Sequence, residues 1–334
     1  MRNLPTLACA LFLTAAAGAQ PKGDAFETAR LLGRGVNLGN ALEAPREGAW
    51  GFTLREEYFP LIKEAGFDSV RIPIRWSAHA ATEPPYRIDP EFFRRVDWAV
   101  DQALENDLAA VVNIHHYEEL YADPPGQKER FLALWKQIAG RYKDRPKRLV
   151  FEILNEPHGK LTDALWNAYL LEALKVIRAS NPDRGVIVGP GTWNNFGHLK
   201  NLKLPADDRN LIATFHYYNP FPFTHQGASW VENSDRWLGT KWTGTPQEKE
   251  AVTRDLDVAA RWAEKEKRPI YLGEFGAYSR ADMESRARWT RFIREQAEER
   301  NMPWAYWEFG SGFGVYDPRA KQWRQPLLEA LTGK

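Results

Sequence analysis

Eight short apolar runs, nearly all of which end in polar or aromatic residues, constrain the fold of this chain more than any other feature. Most of them show no alternation of apolar and polar residues, as expected for strands buried on both faces of a parallel sheet. The eight runs are Gly35–Asn40, Ser69–Trp76, Ala109–Tyr117, Leu149–Pro157, Gly185–Gly191, Leu211–Tyr218, Pro269–Gly276 and Trp304–Phe309. Longer amphipathic patterns typical of helices separate them, at Pro90–Asn106, Glu129–Tyr142, Asp163–Ser180, Gln247–Lys265 and Met283–Arg300.

This alternation of strands and helices predicts an α/β protein with a single (β/α)8 TIM barrel. The chain has 334 residues, and such a barrel typically needs about 250. No Pro-, Ser- or Gly-rich linker divides the chain, so we predict one barrel domain over residues 20–334. A doubly wound open sheet is the alternative architecture.

Residues 1–19 have the pattern of a secretory signal peptide. Arg2 precedes a short apolar run, and Ala17-Gly18-Ala19 matches the small-residue cleavage pattern. We therefore expect cleavage after Ala19 and export to the periplasm or the medium. The run is shorter than the roughly 20 apolar residues of a membrane span, so we expect no membrane attachment after cleavage. Cleavage also removes Cys9, the only cysteine, which leaves a domain without disulfides.

Charge and aromatic content narrow the class of ligand. The 45 Lys and Arg residues nearly balance the 44 Asp and Glu residues, which argues against a nucleic-acid partner. The chain has 14 Trp residues, and Trp side chains beyond the needs of a core often stack on flat ligands or sugar rings. We expect a monomer that binds a saccharide.

Other motifs for cofactors and metals fail on their spacing. The segment Gly33–Gly39 resembles a dinucleotide-binding loop, but its glycine spacing is wrong and it leads into a strand rather than a helix. His115 and His116 are adjacent, and neighbouring histidines rarely bind one ion together. No H-E-x-x-H pattern accompanies them. We therefore predict neither a metal nor a cofactor.

Polar residues gather at the carboxyl ends of the predicted strands, the rim where barrel enzymes build their active sites. Glu156 ends the fourth strand and Glu274 ends the seventh, so they face each other across the barrel mouth. Two carboxyl groups across a cleft suit glycoside hydrolysis, in which one donates a proton and the other attacks or activates water. Taken singly, either glutamate would more simply be a surface salt bridge or a helix cap.

Several motifs resemble glycoside hydrolase family 5, a clan A family of retaining (β/α)8 enzymes. The set occurs in family order along nearly the whole chain after residue 19. It comprises Val70–Pro73, Ile114–His116, Asn155–Pro157, His216–Tyr218, Gly273–Phe275 and Trp307. The segments Gly35–Glu43 and Ile114–Leu120 are closer still to a bacterial subfamily of endo-β-1,4-glucanases, some of which also cleave β-mannan.

The resemblance implies a role for each site residue. Glu156 is the expected general acid/base, and Glu274 the expected nucleophile. Arg71, on an apolar strand where a charge needs a partner, is expected to keep Glu274 ionised. The other expected supporting residues are Asn155, which would hydrogen-bond the sugar 2-hydroxyl, and His216 and Tyr218, which would both orient Glu274. The expected sugar-binding residues are Asn40, Glu43, His115, His116, His225, Trp230 and Trp307. Four further tryptophans, Trp50, Trp193, Trp237 and Trp242, fall in loop-like stretches near the rim, where each is as consistent with packing as with sugar stacking.

The function that this resemblance implies is a secreted, retaining endo-β-1,4-glucanase that also cleaves β-mannan or glucomannan. A primary β-mannanase or a xyloglucanase on the same scaffold is the alternative, because the catalytic residues are shared. A sugar-binding protein without activity would be expected to lack Glu156 or Glu274, and the sequence has both.

Overall fold

A computed structural model describes residues 24–334, and its centre is a closed barrel of eight parallel strands, which confirms the predicted fold class. Each strand pairs with the next one along the chain, and β1 pairs with β8 to close the barrel. The predicted signal peptide lies outside the described residues. The strands are β1 (Arg34–Asn37), β2 (Ser69–Ile72), β3 (Ala109–Asn113), β4 (Leu149–Glu152), β5 (Val186–Val188), β6 (Leu211–Tyr217), β7 (Ile270–Phe275) and β8 (Trp304–Tyr306).

Helices surround the barrel, and the five predicted from amphipathic spacing are all present. Asp123 caps the helix predicted to begin at Glu129, which starts earlier, at Pro124. The helices are α1 (Ala25–Leu32), α2 (Tyr58–Glu64), α3 (Pro90–Glu105), α4 (Glu118–Ala122), α5 (Pro124–Tyr142), α6 (Asp163–Arg178), α7 (Gly191–Asn194), α8 (Phe221–Thr224), α9 (Pro246–Glu266), α10 (Met283–Glu299) and α11 (Gln325–Thr332). A short hairpin, β9 (Tyr316–Asp317) with β10 (Gln322–Trp323), precedes α11. Within the described part of the chain, no helix is both long and apolar enough to cross a membrane.

The sequence reading missed α1, which closes the amino-terminal end of the barrel. Its buried face, Ala25, Ala29 and Leu32, packs against small and branched side chains inside the lower barrel. Asp24 begins the helix by accepting a hydrogen bond from the Phe26 backbone. Because mainly apolar groups fill this end, the charged residues of the barrel interior, Arg71, Glu152 and Glu274, lie toward the opposite end.

The strands are shorter than predicted, and the polar rim residues mostly follow them. The fourth predicted strand ran to Pro157, but β4 ends at Glu152 and leaves Asn155 and Glu156 in the loop after it. Glu156 has a left-handed backbone with φ of 48°. Such a conformation cannot continue a strand, and it turns the chain at the barrel mouth.

A bulge in β7 turns Glu274 toward the inside of the barrel. Phe215 pairs with Leu272, but the next residue of β6, His216, pairs with Glu274, so Gly273 is an extra residue. Tyr271 lies with the inner apolar cluster, and strict alternation from it would point Glu274 outward. A Cβ on Gly273 would lie 2.8 Å from Thr214 Oγ1 and 3.1 Å from His216 Nε2, so glycine is the residue that fits.

We expect Gly273→Ala to destabilise the fold by about 1–3 kcal/mol and to lower activity, because its methyl group crowds Thr214 and His216. Gly140→Ala is the matched control, since a Cβ at this exposed position of α5 meets nothing within 4 Å. That control should stabilise the helix by about 0.4–1 kcal/mol. Urea unfolding of both variants measures the difference, and a Gly273→Ala protein as stable and active as the control would contradict this account of the bulge.

Candidate active site

Arg71 is the centre of a buried polar layer in the barrel. Its Nε and Nη2 donate to the two carboxylate oxygens of Glu152 at 2.5 and 2.7 Å. Its Nη1 donates to Glu274 Oε1 at 2.7 Å and to Asn37 Oδ1 at 2.8 Å. Its Nη2 also donates to Asn155 Oδ1 at 2.8 Å. All five guanidinium N–H groups are thus used, which fixes the side chain in one orientation.

The sequence reading predicted the contact of Arg71 with Glu274 but missed Glu152 and Asn37. Alternate residues of a strand face the barrel interior, and Glu152 and Asn37 each lie two residues after an inward-facing residue of their strand. This alternation, together with their polarity, could have identified them. Burial acts to lower the pKa of Arg71, but the charges of Glu152 and Glu274 outweigh it and raise that pKa above its ordinary value. Arg71 therefore stays cationic against the two carboxylates.

Glu156 and Glu274 meet at the mouth of the barrel, together with His216. One carboxylate oxygen of each glutamate and one ring nitrogen of His216 all lie within 4.8 Å of one another. His216 Nδ1 is 2.7 Å from Glu156 Oε1 and 3.5 Å from Glu274 Oε2. The Tyr218 hydroxyl donates to Glu274 Oε2 at 2.9 Å. The sequence reading assigned both His216 and Tyr218 to Glu274, whereas the histidine lies closer to Glu156.

The same pair of carboxylates differs in its electrostatic surroundings. Burial raises the pKa of Glu156 to about 7, and the more distant charge of Arg71 only partly offsets this. Burial also raises the pKa of Glu274, but His216 and Arg71 oppose that rise and Arg71 hydrogen-bonds the carboxylate directly. Burial lowers the pKa of His216 to about 4, so its ring is neutral at neutral pH. The direct hydrogen bond from Arg71 therefore makes Glu274 the better placed of the two carboxyl groups to carry the negative charge, while Glu156 is the better placed to hold a proton.

The same three ligand atoms are close enough to contact one cation. A cation there would compete with the Arg71 guanidinium, which already neutralises Glu274 at 2.7 Å. The side chain of His216 likewise already hydrogen-bonds Glu156. Catalysis without a metal remains our prediction.

An aromatic wall lies on the side of the site formed by the loops after β3 and β8. The rings of His115 and Trp307 are parallel, with centroids 5.6 Å apart. Asn113 Nδ2 is 3.1 Å from His115 Nδ1 and holds that ring in place. His116 is more exposed and packs edge-on against Trp50, whose side chain is 42% exposed. The peptide bond between Trp307 and Glu308 is cis.

Asn40 and Glu43 lie together in the loop after β1, but they differ in exposure. Glu43 is buried, and its carboxylate accepts backbone hydrogen bonds from Asn40 and Ala41. Burial raises the pKa of Glu43 to about 8. Asn40 is less buried and has a left-handed backbone with φ of 65°, which the carboxylate of Glu43 supports. Glu43 thus holds the shape of the loop, and its role in sugar binding remains a prediction.

His225 and Trp230 follow β6 and extend the wall beyond Tyr218. His225 packs edge-on against Tyr218 with centroids 4.9 Å apart. Trp230 is 60% exposed and packs edge-on against Tyr278, which leaves much of its ring available to a ligand. Trp242 in the same insertion is fully buried against Phe292, so it belongs to the core.

A cavity of about 400 Å³ lies between the loop after β4 and the turn after β5. His158 is one of its walls, and His158 Nδ1 is 2.6 Å from the Glu156 carbonyl oxygen. Trp193, 54% exposed, stacks on His158 with centroids 4.7 Å apart. The sequence reading placed Trp193 near the rim but gave His158 no role, because only the fold brings the two rings together.

Two carboxylates facing each other at the carboxyl end of a (β/α)8 barrel, one of them held by a buried arginine and a tyrosine, define the site of a glycoside hydrolase. A family model described as Cellulase (glycosyl hydrolase family 5) matches residues 33–312. The chain belongs to this family.

Named relatives agree with this assignment. Endoglucanase H of Acetivibrio thermocellus is 40% identical over 314 residues, which are 92% of this chain but only 33% of that protein. The chain thus spans about a third of the length of that relative. Crystal structures of Thermotoga maritima Cel5A, one with mannotriose and one with cellobiose, are each 56% identical with a TM-score of 0.91. Each match covers 92% of this chain and all of the other.

The pKa of Glu156 predicts a pH dependence that differs between substrates. For the predicted role of Glu156 as general acid, kcat/KM on a natural glucan should fall as pH rises through about 7, because Glu156 then loses the proton that it would give to the leaving sugar oxygen. On an aryl cellobioside with a good leaving group, that fall should be much smaller, since departure needs no acid. At low pH, protonation of Glu274 should lower kcat/KM on both substrates. An equal fall above pH 7 on both substrates would contradict the acid role of Glu156.

Proposed function

We propose that this protein is a secreted endo-β-1,4-glucanase that hydrolyses internal glucosidic bonds with retention of anomeric configuration. The observation that carries the mechanism is the closeness of the two carboxylates, with oxygens within 4.8 Å of each other. Retaining enzymes place their carboxyl groups about 5–5.5 Å apart, whereas inverting enzymes leave about 6.5–9.5 Å for a water molecule. Export rests on the pattern of residues 1–19.

In the first step, ionised Glu274 attacks the anomeric carbon and forms a glycosyl ester. The bond from that carbon to O4 of the leaving sugar breaks, and Glu156 donates its proton to this oxygen. The hydrogen bonds from Arg71 and Tyr218 hold Glu274 in the attacking position. Asn155 accepts from Arg71 through Oδ1, so its amide Nδ2 remains to donate to the sugar 2-hydroxyl.

In the second step, water attacks the anomeric carbon and gives a proton to Glu156. The ester bond breaks, and the carboxylate of Glu274 is restored. Glu156 can act as a base here because esterification has removed the negative charge of Glu274, and a nearby negative charge disfavours the ionised form of a carboxyl group. One glutamate thus serves as acid and then as base.

The aromatic wall and the loop after β1 supply the proposed sugar contacts away from the bond that is cut. Trp307, parallel to His115, forms the floor beneath the sugar at the point of cleavage. Trp230 offers an exposed ring farther along the cleft. The remaining proposed contacts are Asn40, Glu43, His116 and His225.

We include β-mannan among the substrates because the Thermotoga maritima Cel5A structure with mannotriose is 56% identical to this chain. Glucose and mannose differ only in the configuration at C2, so the same pair of carboxylates serves both. Initial rates on matched cello- and manno-oligosaccharides should show turnover of both, and a rate on manno-oligosaccharides at the uncatalysed level would remove mannan from the proposal.

We expect Glu274→Ala to lower turnover by at least about 10⁴-fold and azide to restore cleavage, since azide fills the space of the missing carboxylate and attacks from the same face. The product should be an α-glycosyl azide, identified by NMR. Glu284→Ala, at an exposed position in the first turn of α10, is a control that should keep full activity and form no azide product. A β-glycosyl azide would overturn the assignment of Glu274.

A further inference from the structure

A buried asparagine outside the expected catalytic set, Asn194, contacts the active site from behind. It ends α7, the tight turn after β5, and three successive residues, Thr192, Trp193 and Asn194, have left-handed φ values of 57°, 56° and 51°. A Cβ on Gly189 would overlap the Asn194 side chain, so the chain leaves a space that this amide fills. Left-handed backbone is costly for Thr and Trp, so the turn is maintained by its surroundings.

Asn194 contacts the nitrogen of His216 that faces away from the carboxylates. Asn194 Nδ2 is 3.3 Å from His216 Nε2, and His216 Nδ1 is 2.7 Å from Glu156 Oε1 and 3.5 Å from Glu274 Oε2. A neutral imidazole carries one proton, so one nitrogen donates and the other accepts. The hydrogen-bond partner of Nε2 therefore determines whether Nδ1 faces the two glutamates as a donor or as an acceptor.

The two tautomers differ in their effect on Glu156. With the proton on Nδ1, His216 donates to Oε1, and the proton of Glu156 is left on Oε2 for the substrate. With the proton on Nε2, the lone pair of Nδ1 would face the two carboxyl groups and would accept a hydrogen bond from protonated Glu156, which would direct that proton away from the substrate. An amide NH₂ directed at Nε2 stabilises the first tautomer and opposes the second.

We propose that Asn194 is a positioning residue that fixes the tautomer of His216 and so keeps the proton of Glu156 available for the leaving group. The inference rests on the proposed role of Glu156. The same turn also contacts the loop after β4 that carries Glu156. The Trp193 backbone donates a hydrogen bond to Pro157 O at 3.2 Å, and the Trp193 ring stacks on His158. The turn is therefore tied to Glu156 both through His216 and through this loop.

Asn194→Asp tests this, because a carboxylate of the same shape at Nε2 accepts where the amide donates. In Asn194→Asp, Nε2 of His216 should carry a proton, either because the single ring proton moves there from Nδ1 or because the ring gains a second proton. Asn195→Asp is the matched control. Asn195 is exposed, its Oδ1 only caps the Gly197 backbone at 2.8 Å, and Asp keeps that cap while adding the same charge one residue away.

The direct readout is the ¹⁵N spectrum of histidine-labelled protein, in which His216 is assigned among seven histidines by its loss in His216→Gln. The parent protein and Asn195→Asp should carry the His216 proton on Nδ1 alone, and Asn194→Asp should not. A parent protein protonated on Nε2, or the same spectrum in both Asp variants, would overturn the inference. This readout needs no substrate, so it stays separate from the glucanase proposal.

Kinetics give the second readout. Asn194→Asp should lower kcat on natural glucan by about 100-fold, within the range of general acid–base effects, with KM changed less than about twofold. The pH profile of kcat for Asn194→Asp should shift as well.

The titratable and charged groups around the His216 ring are Glu156, Glu274, Arg71, Glu152 and His115. Asn194→Gly, which relieves the left-handed backbone, keeps the test open if the Asp variant does not fold. Equal losses of kcat on glucan and on an activated aryl glycoside would contradict the inference.

Discussion

The structure of this active site depends on one side chain, the guanidinium of Arg71 within the barrel. Its charge is matched by Glu152 from below and Glu274 from the mouth, and its remaining donors fix Asn37 and Asn155. A fully buried arginine is favourable only when its charge and its N–H groups are all paired, and breaking such a pair costs about 3–5 kcal/mol. The same bonds that satisfy Arg71 therefore hold Glu274 in place and oppose the rise in its pKa that burial causes.

The two ends of the barrel differ in polarity, and this difference determines where the two carboxylates lie. At one end α1 fills the barrel with apolar side chains, so buried polar groups concentrate at the other. There two irregularities direct the carboxylates toward each other, the Gly273 bulge for Glu274 and the left-handed backbone of Glu156. Regular strands would point these side chains elsewhere. The catalytic geometry thus arises where the barrel departs from strand periodicity.

The sequence was enough to predict the barrel and the pair of glutamates at its mouth, because both depend on local patterns. Apolar runs mark the strands, and the motif around Glu156 occurs in one short segment. Residues whose role comes from distant contacts were missed. Glu152 looks like the polar end of an apolar run until its salt bridge with Arg71 is seen. Helix α1 has no strand before it to mark it as part of the barrel, and Trp242 resembles a rim residue until the fold buries it. Asn194 has no sequence signal, because its contact with His216 depends on three successive left-handed residues.

The central claim is that Glu274, held by Arg71, forms a covalent bond to the sugar while Glu156 manages the proton. Trapping with a 2-deoxy-2-fluoro cellobiosyl fluoride tests it most directly, since the fluorine slows hydrolysis of the glycosyl ester. Mass spectrometry should then show one fluorinated cellobiosyl group per protein, on the peptide that contains Glu274. Label on the Glu156 peptide, or no covalent species together with a product of inverted configuration, would contradict the account.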